Sequence, residues 1–154
     1  MKSFFKTMLY LVCANVVVFA LSACGAKTTG PAPEVAIDLG SSSLYTQEEL
    51  NTAILLIKDK FATFAGCELH SIRYAGDDAN NEENLEWLNS LREVRSNIPP
   101  EDEGKQYVQV ADFLCDFSRR GRSIRLGTRH GIQGYQWWLG RLEDGRWEII
   151  SWGY

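Results

Sequence analysis

The chain is poor in the residues from which most metal and cofactor sites are made. Two histidines and four cysteines occur among 154 residues, and no pair of them has the Cys/His spacing of a zinc site. There is no glycine-rich phosphate loop and no Gly-x-Ser-x-Gly elbow. The oxygen-rich run Asp77-Asp78-Ala79-Asn80-Asn81-Glu82-Glu83 lacks the glycine and the distal glutamate of an EF-hand loop, and reads as a solvated turn and helix N-cap. Neither a metal nor a cofactor is expected. Basic side chains are in deficit, 16 against 20 acidic ones for a net charge of −4, which argues against nucleic acid as a partner. Nor is there an apolar run of the roughly 20 residues that a membrane-spanning helix needs.

What the N-terminus does carry is an export signal. Lys2 and Lys6 form a positive start, and Met8 to Ala20 is an apolar core broken only by Asn15. Leu21-Ser22-Ala23-Cys24 follows, and resembles the lipobox of bacterial lipoproteins. That resemblance implies cleavage before Cys24 and a diacylglyceryl group on its thiol. More than one acyl chain on one residue provides the second signal that stable anchoring requires. The membrane, reached through the lipid on Cys24, is the first expected partner, with the chain on the extracytoplasmic face of the cell membrane. Loss of Lys2 and Lys6 with residues 1–23 lowers the 16 basic side chains to 14 against 20 acidic ones, a net charge near −6.

Residues 24–43 are rich in Gly, Ala, Ser, Thr and Pro and read as a lipidated flexible tether. Residues 44–154 are enough for one core and not for two. Only Cys67 and Cys115 persist in that domain. Outside the cytoplasm such a pair can form a disulfide, and two buried free thiols are the alternative.

Thr46 with Glu49 makes a capping box, and Leu50, Ala53, Ile54, Ile57, Phe61 and Phe64 recur on one helical face, with Gly66 at the expected C-cap. This predicts an amphipathic helix of about 20 residues that needs a sheet to cover. A strand from Cys67 to Tyr74 follows, then a turn at Gly76 to Asn81 and a weaker helix from Glu82 to Arg95 with Leu85, Leu88 and Leu91 on one side. After the loop Asn97 to Gly104 the chain reads as strands. Gln106 to Phe117 places Tyr107, Ala111, Phe113, Cys115 and Phe117 on one face, and a short strand is expected near Ser123 to Leu126. Asp144-Gly145 signals a two-residue hairpin turn, which sets Arg141 opposite Glu148, Leu139 opposite Ile150, Trp137 opposite Trp152 and Tyr135 opposite Tyr154. Both faces of this hairpin are rich in aromatics. One is expected to pack on the helix, the other to line a second layer, a concave pocket or a partner.

The order of an N-terminal amphipathic helix, a short second helix and a curved antiparallel sheet ending in a Gly-x-Trp-x-Ile hairpin resembles the nuclear transport factor/cystatin-like α+β cone. Gly66-Cys67, Tyr74, Trp137-Trp138-Leu139, Asp144-Gly145-Arg146-Trp147-Glu148-Ile149 and Trp152-Gly153-Tyr154 resemble small bacterial lipoproteins of the Clostridia type. The resemblance implies a fold class and an address, an α+β cone after a signal peptide and tether. It implies no substrate, since this fold hosts enzymes and binding modules alike.

Charge is segregated along the chain. From Phe117 to Leu142 there are six arginines and no acid, and from Asp77 to Glu103 nine acids against Arg92 and Arg95. Arginine forks suit carboxylates and phosphates, so Arg119, Arg120 and Arg122 are candidate contacts for a small ligand or an envelope protein, with Trp137 and Trp152 on the sheet's aromatic face. The alternative use of the segment is to keep sheet edges apart or to neutralise the acidic stretch. The first functional reading is therefore a non-enzymatic binding module. A second is a small cone-fold enzyme of hydrolase or isomerase type using Asp112 or Asp116, which share one strand face with Val110 and Leu114, with His70 and His130 as further titratable candidates. Against that, Tyr107, Phe113 and Phe117 mark the core face, which would leave both aspartates solvated. A third reading is a structural envelope component.

Overall fold

Helix α1, Gln47–Phe61, starts where the sequence carries a complete helix-start signal. The Thr46 hydroxyl accepts from the Glu49 N–H at 3.2 Å, and the Glu49 carboxylate accepts from the Thr46 N–H at 2.8 Å. Leu50, Ala53, Ile54, Ile57 and Phe61 are its buried face, and burying each large side chain contributes about 1.5–3 kcal/mol. The helix ends five residues before Gly66, with Ala62 as its C-cap. Phe64 therefore lies beyond it in a chain of turns, and Gly66, with φ of 72°, supplies the left-handed residue of the turn that delivers Cys67 to the sheet.

The computed structural model describes residues 34–119 and 131–154, within a unit that begins at Pro33. The described strands are β1 (Ala36–Asp38), β2 (Cys67–Tyr74), β3 (Tyr107–Arg119), β4 (Ile132–Leu142) and β5 (Trp147–Gly153), hydrogen-bonded in that order as one sheet. A second helix, α2 (Glu82–Glu93), is capped by Asn81, whose side chain accepts from the Asn84 N–H at 2.9 Å. The fold is thus α+β with two helices, as expected, but the sheet is mixed. β1 runs parallel to β2, with Ile37 paired to Ile72, and the other neighbours are antiparallel. Among the described residues no helix is long and apolar enough to cross a membrane.

The strand β1 revises the expected extent of the tether. Residues 36–38 pair with the sheet, and Val35 and Leu39 pack against the core. The segment after them is held by Asp77, which accepts from Ser42 Oγ at 2.5 Å, from Ser43 N and Oγ at 2.8 Å each, and from Tyr74 Oη at 2.9 Å. Those donors, the Ser42 hydroxyl first, hold its carboxyl well below the usual range.

The helices cover opposite faces of the sheet. Tyr74, Phe113, Phe117, Trp137, Leu139 and Trp147 pack with α1, whereas Leu88 of α2 packs with Tyr107, Val110 and Leu142. Tyr107 is therefore not on the Phe113 face where alternation puts it. Val108 is an extra residue in the ladder, with Tyr107 opposite Leu142 and Gln109 opposite Arg141, and one bulged residue reverses every side chain before it.

The same effect corrects the closing hairpin. The Leu142 N–H donates to Arg146 O and the Gly145 N–H to Leu142 O, with Gly145 at φ of 86°. This is a three-residue loop whose last residue is left-handed, not a two-residue turn. It sets Arg141 opposite Trp147 and Leu139 opposite Ile149. Ile150 is then the extra residue, so Trp137 meets Trp152 as expected.

Gly140 is required by a close approach. A Cβ there would lie 2.6 Å from Tyr107 Cδ2. Gly140→Ala is expected to cost about 2 kcal/mol by overpacking, read as a lower urea midpoint at unchanged slope. No change in midpoint would show that the Tyr107 ring can retreat freely.

Candidate functional site

α2 covers only part of its face of the sheet. Beyond Trp138, whose ring meets Trp87 edge-on at 5.3 Å, the same face continues as a polar surface across three strands. β2 supplies His70, Ser71 and Arg73, β3 supplies Asp112, Asp116 and Ser118, and β4 supplies Gly134 and Gln136. Cross-strand pairing puts these groups in reach of one another. His70 Nε2 and Ser118 Oγ are 2.8 Å apart, Ser71 Oγ donates to Asp116 Oδ2 at 3.0 Å, and Gly134 N–H donates to Asp116 Oδ1 at 2.9 Å.

Asp112 differs from its neighbours in being 5% exposed. Its Oδ2 accepts from Gln136 Nε2 at 3.3 Å, and its Oδ1 has no hydrogen-bond partner among the described residues. Burial pushes its carboxyl up to about 6, and this outweighs the Gln136 hydrogen bond, the Trp137 and Phe113 backbone and the Arg73 charge, all of which pull it down. The expectation that both aspartates are solvated is thus corrected for Asp112. Trp138 lies opposite Asp112 in the ladder, and the Asp112 backbone oxygen accepts from the Ala75 N–H at 2.9 Å just after β2. Asp116 is half-buried and fully hydrogen-bonded.

A carboxylic acid poised near neutrality is what a general base requires. Here its side-chain partner is an amide, and neither a tyrosine nor a histidine bonds it among the described residues. The described clefts lie elsewhere, around residues 92–106 and strand β5. The arrangement offers hydrogen-bond donors and acceptors across three neighbouring strands, with the buried, unpaired Asp112 Oδ1 at its Trp138 end. Comparison with family models, curated proteins and solved structures finds no match. The functional reading therefore rests on these residues.

The other candidate residues separate. Trp137 is fully buried, stacked between Phe64 at 5.7 Å and Trp152 at 5.9 Å, so it is core and cannot line a binding surface. Trp152 is the outer member of that stack, 39% exposed, with Lys60 Nζ 4.7 Å from its ring centre. Arg119 is exposed at the end of β3. Arg120, Arg122, His130, Cys24 and the strand expected near Ser123 lie outside the described residues.

Of the two alternatives for the cysteine pair, the disulfide is absent. Cys67 lies opposite Arg119, and Cys115 opposite Ile72. Four residues of strand, about 13 Å, separate their positions, well beyond the ~7 Å that a bridge allows between Cα atoms. Both thiols are free. Burial pushes the Cys115 thiol up to about 12, so it is a packing group and not a reactive one.

Charge neutralisation takes a form that composition does not show. Arg92, 2% exposed, donates to Glu148 Oε2 at 2.5 Å, Tyr107 Oη at 3.0 Å, Lys105 O at 2.8 Å and Asp102 O at 3.2 Å. Buried Asp102 in turn takes a two-pronged pair from Arg146 at 2.9 and 2.6 Å and one bond from Lys105 at 2.7 Å. Arg141, within the basic segment, is bound to Glu49 and to Gln109.

Proposed function

We propose that this chain is a membrane-anchored extracytoplasmic lipoprotein whose domain is a non-enzymatic binding module. Cys24 carries the lipid, and a polar small ligand or the polar strand of an envelope protein docks on the open face around Asp112. The observation that carries the reading is Asp112 itself, a buried carboxyl whose Oδ1 has no hydrogen-bond partner among the described residues, with the Arg73 charge nearby. Such a group costs stability in the free protein, and a donor brought by a ligand would offset that cost. The nearby Ser71, Arg73, Asp116 and Gln136 supply a mixed set of donors and acceptors, which suits hydroxyl- or amide-bearing ligands better than a simple ion.

The likeness to nuclear transport factor/cystatin-like domains belongs to the same proposal. It is supported by the position of α1 ahead of strands β2 to β5 and by register shifts in those strands, since bulges bend and twist a sheet. The positive start, short apolar core and placed cysteine support the address. The segment containing Arg119, Arg120 and Arg122 is proposed as a secondary contact for an anionic portion of the partner.

Mass spectrometry of the chain isolated from bacterial membranes tests the address. A mature N-terminus at a diacylglyceryl-modified Cys24 is expected, together with loss from the membrane fraction in Cys24→Ala. An unmodified Cys24 in the membrane fraction would refute the anchor.

A further inference from the structure

We propose that the ligand of the open face is a carbohydrate, with a pyranose ring laid flat on Leu114. The inference rests on the reading of this face as a binding surface and names the class of ligand that the surface takes.

Leu114 is the apolar centre of the face. Phe113 and Cys115 on either side of it are fully buried in the core under α1. Leu114 therefore points the other way, with Asp112 and Asp116. It is half-buried and packs in neither hydrophobic cluster. Hydrogen-bonding side chains surround it on four sides. Arg73 lies opposite it on β2 and Gln136 opposite it on β4, each about 4.8 Å away across the sheet. Asp112 and Asp116 lie two residues away along β3, about 7 Å in either direction.

These groups are not equally committed. Gln136 Nε2 donates to Asp112 Oδ2 at 3.3 Å, and Asp116 accepts from Ser71 Oγ at 3.0 Å and from the Gly134 N–H at 2.9 Å. Arg73 is exposed, and among the described residues its guanidinium makes no hydrogen bond and no ion pair. The face is also open to solvent. Gly153 lies opposite Gln136 on β5, and a Cβ there, or at Gly134, would meet nothing within 4 Å.

An apolar centre with a polar rim calls for a ligand of the same layout. A pyranose has it, because its C–H bonds line the two sides of the ring while its hydroxyls radiate from the edge. Each hydroxyl both donates and accepts, as a rim of arginine, amide and carboxylate requires. A wholly apolar ligand would leave that rim unpaired. The mixed charge argues against an ion. Arg73 stands among Asp38, paired with it on β1, and the two aspartates of β3, so an anion meets carboxylates and a cation meets the guanidinium.

Saturation-transfer NMR of the full chain tests the assignment, in a polyoxyethylene detergent because a maltoside would itself compete. The probes are cellotetraose, maltotetraose and tetra-N-acetylchitotetraose, with methyl glucoside as a single ring and sorbitol as an open-chain polyol. Saturable binding of at least one tetrasaccharide is expected, about tenfold or more tighter than sorbitol. A tetrasaccharide that also binds tighter than methyl glucoside would mark a polysaccharide as the source of the ring, and equal binding a free sugar. Arg73→Ala, at an exposed side chain, is expected to weaken binding at least fivefold while thermal unfolding stays unchanged. Leu114→Ala is expected to weaken it as well. No saturable binding of any sugar, equal binding of sorbitol, or full binding by Arg73→Ala would each overturn the assignment. A non-carbohydrate adduct that is lost from Asp112→Asn, with no sugar bound, would overturn it and leave the binding face standing.

Discussion

Asp112→Asn is expected to make the protein more stable at pH 7, by about 2 kcal/mol after allowance for partial solvent screening. The sign follows from proton binding. The folded carboxyl titrates at about 6 and the free side chain at 3.8, so between those values the folded state holds more protons. Stability from this group is fully present below about pH 4 and is lost as pH rises through about 6. The amide cannot ionise, so the difference between variant and parent should vanish at pH 4 and open by pH 7. Urea unfolding of both proteins at the two pH values measures it. Comparing the two cancels the opposing contribution of Asp77, Asp102 and Asp144, whose carboxyls are held low by hydrogen-bonded partners. A parent that is equally stable at both pH values relative to the variant would mean that Asp112 is adequately solvated.

Arg92→Leu is expected to be among the most damaging substitutions in the domain, at about 3 kcal/mol. The side chain is buried and joins α2 to the 102–105 segment, β3 and β5 through four acceptors. Its removal takes the buried counter-charge from the Glu148 carboxylate, which keeps its bond from Tyr107 Oη, and removes one donor from each of two backbone oxygens. The effect on Glu148 is moderated because that side chain is one-quarter exposed. Leucine leaves the Glu148 charge without its buried counter-ion, so adding Glu148→Gln should recover part of the loss by removing that charge. Denaturation midpoints of the single and double variants decide this. A harmless Arg92→Leu would show that water replaces the guanidinium.

Local signals in the sequence were sound wherever one element decided the outcome. The Thr46/Glu49 box starts α1 as expected, Asn81 starts α2, and period-two alternation gives β3 its Phe113, Cys115 and Phe117 face. Misplacements arise where a single residue enters a ladder. Val108 and Ile150 are ordinary strand residues by type, and nothing local marks them as unpaired, yet they move Tyr107 and Trp147 to the opposite faces. β1 was hidden for a related reason, since three residues of edge strand need only one neighbour to form and carry no periodicity of their own.

The candidate site was half legible. Asp112 and Asp116 could be placed on one face from alternation, but Asp112 is buried and Asp116 half-buried, and alternation does not separate them. Gln136 and Arg73 carry no sequence mark. For Arg92 a signal did exist, because it falls seven residues after Leu85 and four after Leu88, on the face that α2 buries. Trp137 shows the reverse limit, since an aromatic on a sheet face reads the same whether it is a platform for a ligand or the middle of a stack.

The central claim is that the open face around Asp112 is a binding surface and that its charge is kept for a ligand. Native mass spectrometry of the full chain purified from bacterial membranes, parent beside Asp112→Asn, tests it most directly. The account predicts a bound small molecule or envelope protein on the parent and its loss from the more stable variant. The same adduct on both proteins, or none on either, would contradict it.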